Sequence, residues 1–120
     1  MASAVGPTLH SLFFVRDQQS GQKFLVDTGA EVSVMPASTT DQKHGQTDTP
    51  LYAANGTPIR TYGTRQIRLH LCNQIYEWHF HIAAVERPLL GADFLRCHGL
   101  LVNVRDQKLV NPATCATTLL

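Results

Sequence analysis

The sequence predicts an all-β fold, and three observations support that prediction. Runs of apolar and β-branched residues of strand length recur along the 120 residues. Apolar and polar residues alternate within the two longest runs, which is the period of a strand with one face in water. Turn-forming residues separate the runs, as an antiparallel meander requires. The runs are residues 12–15, 23–26, 32–35, 59–62, 66–71, 75–85 and 100–104.

The alternation is clearest in the runs 66–71 and 75–85. Apolar side chains occupy every second position and are expected to face the core, while the polar side chains between them face water. These apolar positions are Ile67, Leu69, Leu71, Tyr76, Trp78, Phe80 and Ile82. Turns are predicted at residues 19–21, 55–56 and 72–73.

The length and composition fit one domain, which is predicted to span residues 1–120. A hydrophobic content of 43% with 16% charged residues is ordinary for a globular chain with a modest core. One short helix is predicted, beginning near Asp93, whose side chain can cap it, and ending before Gly99. The body is expected over about residues 10–110, between loose tails at residues 1–9 and 111–120.

Charge, hydropathy and cysteine usage exclude several functional classes. A formal net charge of +1 without blocks of like charge argues against a nucleic-acid partner. The longest apolar runs are far shorter than the ~20 residues that cross a bilayer, so no membrane partner and no secretory signal are predicted. The three cysteines are odd in number and widely spaced, which argues against a disulfide framework and favours an intracellular, cytoplasmic setting.

A candidate catalytic motif, Asp27-Thr28-Gly29, stands at the end of an apolar strand and just before the next one. Hydrolysis of a peptide by water needs two carboxyl groups that share one proton, since one draws a proton from water while the other donates to the carbonyl oxygen. A chain this short supplies one such carboxyl, so a two-fold dimer is predicted. The alternative is an ordinary turn after a strand, because all three residues are common in turns.

With Leu25-Val26 before it, Ala30 after it and residues 32–35 beyond, the motif resembles that of the retropepsins, the single-domain aspartic proteases of retroviruses and long-terminal-repeat retrotransposons. Residues 88–95, Pro-Leu-Leu-Gly-Ala-Asp-Phe-Leu, are similar to the family's apolar-apolar-glycine segment and short helix, which pack beneath the active-site loop. Within the family, the Gly-Ala-Asp-Phe-Leu part of this segment most resembles that of gypsy-like elements. Many retroviral enzymes have an arginine where this chain has Ala92, so a pairing role for Glu31 stays open.

Residues 51–63 form the third match, because two short extended arms surround an Asn55-Gly56 turn. The segment resembles the flap that closes over the peptide in this family, and its alternative is an ordinary surface hairpin. Taken alone, residues 89–91 would be read as a buried strand before a helix. The three segments occur in the family's order and at similar intervals, which favours the resemblance.

The resemblance implies a small closed retropepsin-like barrel with a flap hairpin and one short C-terminal helix, assembled as a homodimer. Asp27 of each subunit would be catalytic, Thr28 would hydrogen-bond across the two-fold axis, and Gly29 would offer its carbonyl to the peptide. No cofactor is implied. The substrate-binding positions would be Gly29, Ala30, Ala54, Asn55, Gly56, Ile59 and Leu89.

The implied activity is an aspartic endopeptidase that processes a retroelement Gag-Pol-type polyprotein, in the cytoplasm or within a virus-like particle. Two alternatives are a catalytically idle dimerisation module that kept the fold, and a cellular retropepsin-like peptidase, for example of the ubiquitin-linked kind. The intact Asp-Thr-Gly argues against the first alternative, and no ubiquitin-binding segment accompanies the chain to support the second.

Other polar residues have simpler explanations than catalysis. His79 and His81 could join Cys97 and His98 in a zinc site, but no paired second ligand set is visible, so they are predicted to be surface residues and no metal is predicted. The remaining aspartates are predicted to serve turns, loops or the helix cap. They are Asp17, Asp41, Asp48, Asp93 and Asp106.

Overall fold

The computed structural model describes residues 13–47, 50–114 and 116–119. Its strands are β1 (Phe13–Arg16), β2 (Lys23–Val26), β3 (Val34–Pro36), β4 (Leu51–Tyr52), β5 (Pro58–Ile59), β6 (Thr61–Leu71), β7 (Gln74–Ala83), β8 (Leu89–Leu90), β9 (Leu101–Asn103), β10 (Lys108–Asn111) and β11 (Ala116–Leu119). Its helices are α1 (Thr39–His44) and α2 (Ala92–Cys97). The prediction of a mostly β fold is therefore confirmed. The tail predicted at residues 1–9, and Asp48, lie outside the described residues.

The main sheet has six strands in the order β1-β2-β8-β3-β7-β6. The long hairpin of β6 and β7 follows the predicted alternation, with Ile67 opposite Trp78 and Leu69 opposite Tyr76. Its two turn residues, Cys72 and Asn73, have φ angles of 52° and 58°, as a tight hairpin turn of this hand requires. The turn predicted at residues 72–73 is thus present.

The two edge strands of this sheet, β1 and β6, meet at one end. The amide of Gln18 donates to the carbonyl of His70 at 2.9 Å. The carboxylate of Asp17 is only 3% exposed and accepts from the amides of His70, at 2.6 Å, and Ser20, at 2.8 Å. Asp17 therefore serves a turn, as predicted, and also joins β1 to β6.

The core lies on one face of this sheet and against α2. The rings of Phe24 and Phe80 have centroids 5.7 Å apart and are tilted by 44°, and Phe94 of α2 packs edge-on to Tyr76 and Trp78. The buried apolar residues also include Val15, Val26, Leu69, Leu71, Leu90, Leu95, Leu100 and Leu109. Burying these side chains removes apolar surface from water and is the main favourable contribution to folding.

The prediction of a single helix is wrong, because α1 is a second one. Ser38 caps it, with the Ser38 hydroxyl accepting from the amide of Asp41 while the Asp41 carboxylate accepts from the amide of Ser38. Asp41 also pairs with Arg65. None of the residues of α1 is buried, so it lacks the apolar stripe from which helices are predicted.

The loose tail predicted at residues 111–120 also needs correction. Asn111 closes β10, and residues 116–119 form β11, which pairs with β10 in antiparallel fashion. Together with β9 these strands make a second sheet in the order β11-β10-β9. This C-terminal meander is anchored to the core by Leu109, which is fully buried.

Candidate active site

Asp27 lies at the end of β2 and is held by the neighbouring strand β8. The amide of Leu25 donates to the carbonyl of Pro88 at 3.0 Å, and the amide of Asp27 donates to that of Leu90 at 2.9 Å. The ladder between β2 and β8 thus continues as far as Asp27. The carboxylate is half-buried, because the strand ends where the core ends.

Two hydrogen bonds between residues close in sequence shape the turn that follows Asp27. The amide of Gly29 donates to Oδ1 of Asp27 at 3.0 Å, and the amide of Ala30 donates to the carbonyl of Asp27 at 3.1 Å. Among the described residues, no donor lies within hydrogen-bonding distance of Asp27 Oδ2. One carboxylate oxygen is therefore used to fix the loop, and the other is available to a ligand.

The segment between β8 and α2 supports this loop from below. The amide of Ala92 donates to the carbonyl of Ala30 at 2.7 Å. A Cβ atom on Gly91 would lie 2.6 Å from the carbonyl oxygen of Val32 and 2.9 Å from that of Ala30, so only glycine fits there. The predicted packing of residues 88–95 against the catalytic loop is present in the structure.

Asp93 binds the same loop from the first turn of α2. Its carboxylate accepts from the amide of Ser33 at 3.1 Å, the hydroxyl of Ser33 at 2.8 Å, Nε1 of Trp78 at 3.1 Å and the amide of Phe94 at 2.7 Å. The prediction of Asp93 as the helix cap needs correction, because Gly91 occupies the cap position. Asp93 instead joins the residue before β3 to β7 and α2.

Ser33 is the residue that sequence reasoning missed. It is fully buried, and its hydroxyl both donates to Asp93 and accepts from the amide of Gly91 at 2.9 Å. A buried hydroxyl requires such partners, so a serine inside the apolar run 32–35 was a usable signal. Glu31 is exposed, and no ion pair joins it to another part of the described chain.

The predicted hairpin at residues 51–63 is present as β4 and β5, with Leu51 opposite Ile59. Its tip is closed by the amide of Ala53 donating to the carbonyl of Thr57 and the amide of Thr57 donating to Oδ1 of Asn55. Gly56 has a φ of 85°, a conformation that glycine adopts without strain.

The structure places the predicted site residues in two groups. Asp27, Thr28, Gly29 and Ala30 form the loop, with Leu89 beside it on β8, whereas Ala54, Asn55, Gly56 and Ile59 lie on the hairpin. The three tip residues are exposed. No hydrogen bond links the two groups within the ranges the structure covers.

A cavity of about 460 Å³ lies next to the loop at Thr28. The cavity is lined by Thr28, which is exposed, by Ala92 and Leu95 of α2, and by the start of β9. Leu101, which also lines it, is 56% exposed. An exposed apolar surface therefore adjoins the catalytic loop.

Within the described ranges, no group of three or more His, Cys, Asp or Glu side chains could hold a metal ion. His79 is exposed and His81 half-buried on β7. His98 instead packs among Tyr76, Trp78 and Phe94, with ring centroids 4.7–5.5 Å apart. The helices described here include none that is long and apolar enough to span a membrane.

Comparison with known proteins gives one family and solved structures of one similar fold. The family model for retroviral aspartyl protease matches residues 12–103. The retroviral protease-like domain of Ddi1 from Leishmania major is similar in structure, with a TM-score of 0.66 and 18% identity over 92% of this chain and 94% of that one. EIAV protease complexed with the inhibitor HBY-793 has a TM-score of 0.56 and 19% identity, over 79% of this chain and 95% of that one. No curated protein sequence matches.

Proposed function

Because the chain belongs to the retroviral aspartyl protease family and is an aspartic endopeptidase, we propose that Asp27 is its catalytic carboxylate and acts with Asp27 of a second copy. The observation that carries this proposal is the geometry of the Asp27 carboxylate. Oδ1 accepts from the amide of Gly29, while Oδ2 faces no donor among the described residues. Such a carboxylate is fixed in place and still able to bind water.

The chemistry follows from two such carboxyl groups sharing one proton. The ionised group takes a proton from water as the water oxygen attacks the peptide carbonyl carbon, and the protonated group donates to the carbonyl oxygen. The resulting tetrahedral diol then collapses. The C–N bond breaks as a diol hydroxyl gives its proton to the ionised carboxyl and the amide nitrogen takes a proton from the other carboxyl, so the pair again holds one proton.

A second copy is needed because the described chain has a single loop of this kind. We place the dimer interface on the surface next to the loop, where Thr28 is exposed and Leu101 is 56% exposed. Covering Leu101 removes apolar surface from water, which favours association. In such a dimer Thr28 of each copy hydrogen-bonds across the two-fold axis and holds the two loops together.

Peptide binding is assigned to the two groups of predicted residues. Gly29, Ala30 and Leu89 would contact the peptide from the side of the loop, and the hairpin that carries Ala54 to Ile59 would act as a flap. The short arms of the hairpin and its exposed tip allow it to move without disturbing the core. Closing it over an extended peptide excludes water from the reacting groups.

The substrate we propose is the polyprotein of a gypsy-like retrotransposon, cleaved within the cytoplasm or a virus-like particle. The similarity of residues 88–95 to such elements supports this. A domesticated or cellular substrate is the alternative, and a longer precursor distinguishes the two. A retroelement enzyme trims the ends of its own precursor, whereas a cellular peptidase cleaves other proteins only.

The experiment is a cleavage assay with a mixture of peptides, measured over pH and protein concentration. Asp27→Asn is expected to fold and to dimerise but to lose cleavage. Asp106→Asn is the matched control, because Asp106 lies in an exposed turn and, among the residues the structure describes, pairs only with Asn103. Cleavage at a near-normal rate by Asp27→Asn, or by a protein shown to be monomeric, would refute the proposal.

A further inference from the structure

The face of the sheet that carries Asp27 continues along β2 into a cleft. Side chains alternate along a strand, so Leu25 lies on the same face as Asp27. Phe14 of β1 and Leu89 of β8 are paired with Leu25 and share this face. These three side chains are half-buried, whereas those on the opposite face belong to the core.

A cavity of about 360 Å³ opens over this row, and we name it the Phe14 cleft. Its apolar lining is Phe14, Leu25 and Pro88, which are buried or half-buried. Its charged lining is exposed and consists of Lys23, Glu86 and Arg87. The cleft therefore has an apolar base and a charged entrance.

The charges at the entrance are mostly positive and unpaired. Nζ of Lys23 lies 4.8 Å from the centre of the Phe14 ring, and Cζ of Arg87 lies 5.7 Å from it. Neither cation forms an ion pair with a carboxylate in the described parts of the chain, and Glu86 forms none either. Two cations thus converge on one aromatic ring and leave donors free for an incoming anion.

We propose that the Phe14 cleft binds an acidic side chain of the peptide substrate, with a preference for glutamate. The methylene groups pack on Phe14 and Leu25, and the carboxylate lies between Lys23 and Arg87. This inference rests on the proposed function, since the occupant is the peptide cleaved at Asp27. Glutamate is favoured over aspartate because its extra methylene group spans the apolar base.

The position of this acidic residue follows from the spacing along β2. A strand advances about 3.3 Å per residue, so Leu25 lies about 7 Å from Asp27, and we place the extended peptide, which has the same rise, parallel to β2. The acidic side chain is then two or three residues from the scissile bond. A two-fold dimer has one Phe14 cleft on each side of that bond, so acidic residues on both sides are recognised.

The test uses sets of synthetic peptides that share an apolar cleavage site and carry Glu, Gln or Lys at the second or third residue on each side. The measured quantity is the ratio of kcat/KM for the Glu and Gln peptides, which does not depend on the amount of active dimer. At one of these positions a preference of about fivefold for Glu is expected, falling toward unity at high salt.

Three variants separate this site from general effects. Arg87→Glu should abolish or reverse the preference, and Glu86→Gln should increase it, because each changes the charge at the entrance. Arg105→Ala, in the exposed turn between β9 and β10, should leave the ratio unchanged. If Arg87→Glu fails to fold, the ratio of kcat/KM for the Glu and Gln peptides in Glu86→Gln still tests the acidic preference.

The outcomes also distinguish this inference from the proposed function. Failure of the parent protein to cleave any peptide would contradict the function itself. Cleavage of the Glu and Gln peptides at equal rates, at every position tested, would overturn only the acidic preference. An apolar preference at these positions that Arg87→Glu leaves unaltered would show that the cleft takes an apolar side chain, and it would equally overturn the inference.

Discussion

Gly91 offers the sharpest test of how the catalytic loop is supported. In Gly91→Ala the new Cβ atom would lie 2.6 Å from the carbonyl oxygen of Val32, 2.7 Å from its carbonyl carbon and 2.9 Å from the carbonyl oxygen of Ala30. All three are backbone atoms, and ordinary contact begins only at 3.4 Å. The loop and the start of α2 must therefore separate, which weakens the hydrogen bond from Ala92 to Ala30.

The expected loss in free energy of unfolding is about 2–4 kcal/mol, from overpacking together with the weakened hydrogen bond. Because the displaced loop carries Asp27, kcat should also fall by about 10²-fold in the molecules that remain folded. Urea unfolding gives the first quantity, and active-site titration with peptide cleavage gives the second.

Gly45→Ala is the matched control for this substitution. Gly45 has a φ of 95°, but a Cβ atom added there would meet nothing within 4 Å, so the variant measures backbone strain without a clash. We expect a loss of about 1–2 kcal/mol and normal kcat. Stability of Gly91→Ala within about 0.5 kcal/mol of the parent, the range of a neutral surface change, would refute the close packing of loop and helix.

Three further substitutions test other parts of the structure. Ser33→Ala should reduce stability by about 1–3 kcal/mol in urea unfolding, because it leaves the amide of Gly91 buried without an acceptor; an unchanged midpoint would exclude this role. Asp17→Asn should reduce the free energy of unfolding by a similar amount, and the difference from the parent should be largest near neutral pH. Burial alone would raise the pKa of Asp17, but hydrogen bonds from Ser20 and His70 lower it, so the stabilisation is present above about pH 4 and lost in acid. Burial lowers the pKa of His98, so the unfolded chain takes up a proton before the folded one and stability falls as the pH drops below about 6.5. His98→Phe should remove that part of the pH dependence, and identical slopes between pH 7.5 and 5.5 would contradict it.

The parts of the fold that could be predicted are those with a strong local pattern. The strand at residues 23–26 was predicted with its observed bounds, and β6 and β7 followed from their alternation. The pattern reports burial on one face of a long strand, so it is informative only when several residues repeat it. The four residues of β11 include two threonines and show no alternation of apolar and polar side chains, so this strand was predicted as part of a loose tail.

The missed helix α1 shows a different limit. Ser38 and Asp41 form a capping box, and Lys43 and His44 occupy the last turn before Gly45. These are the local signals of a helix, but no residue of α1 is buried. Local hydrogen bonds and charges stabilise it without any contribution from the core, and a search for apolar periodicity overlooks such a helix.

The contacts that occupy the other aspartates are ones that no local pattern contains. Asp93 accepts from four donors, two of them on Ser33, which is 60 residues away in sequence. A carboxylate has about four lone-pair positions, so one with that many donors has little capacity left for a substrate. Asp17 is engaged by two backbone amides in a similar way. Their sequence neighbours predicted a turn role for Asp17 and a helix cap for Asp93, but not the long-range contacts to His70 and Ser33.

Asp27 differs from these aspartates in how few of its hydrogen-bonding positions the protein uses. One donor, the amide of Gly29, fixes Oδ1, and the backbone of Leu90 fixes the strand beneath it. The buried bonds of Ser33 and Asp93 hold the loop from behind, so that the carboxylate itself need not do so. A shared-proton pair requires a rigid loop and a carboxylate with unused hydrogen-bonding positions, because each group must exchange a proton without moving. The support of the loop is thus carried by residues 33, 91 and 93, which leaves the carboxylate of residue 27 available for the proposed chemistry.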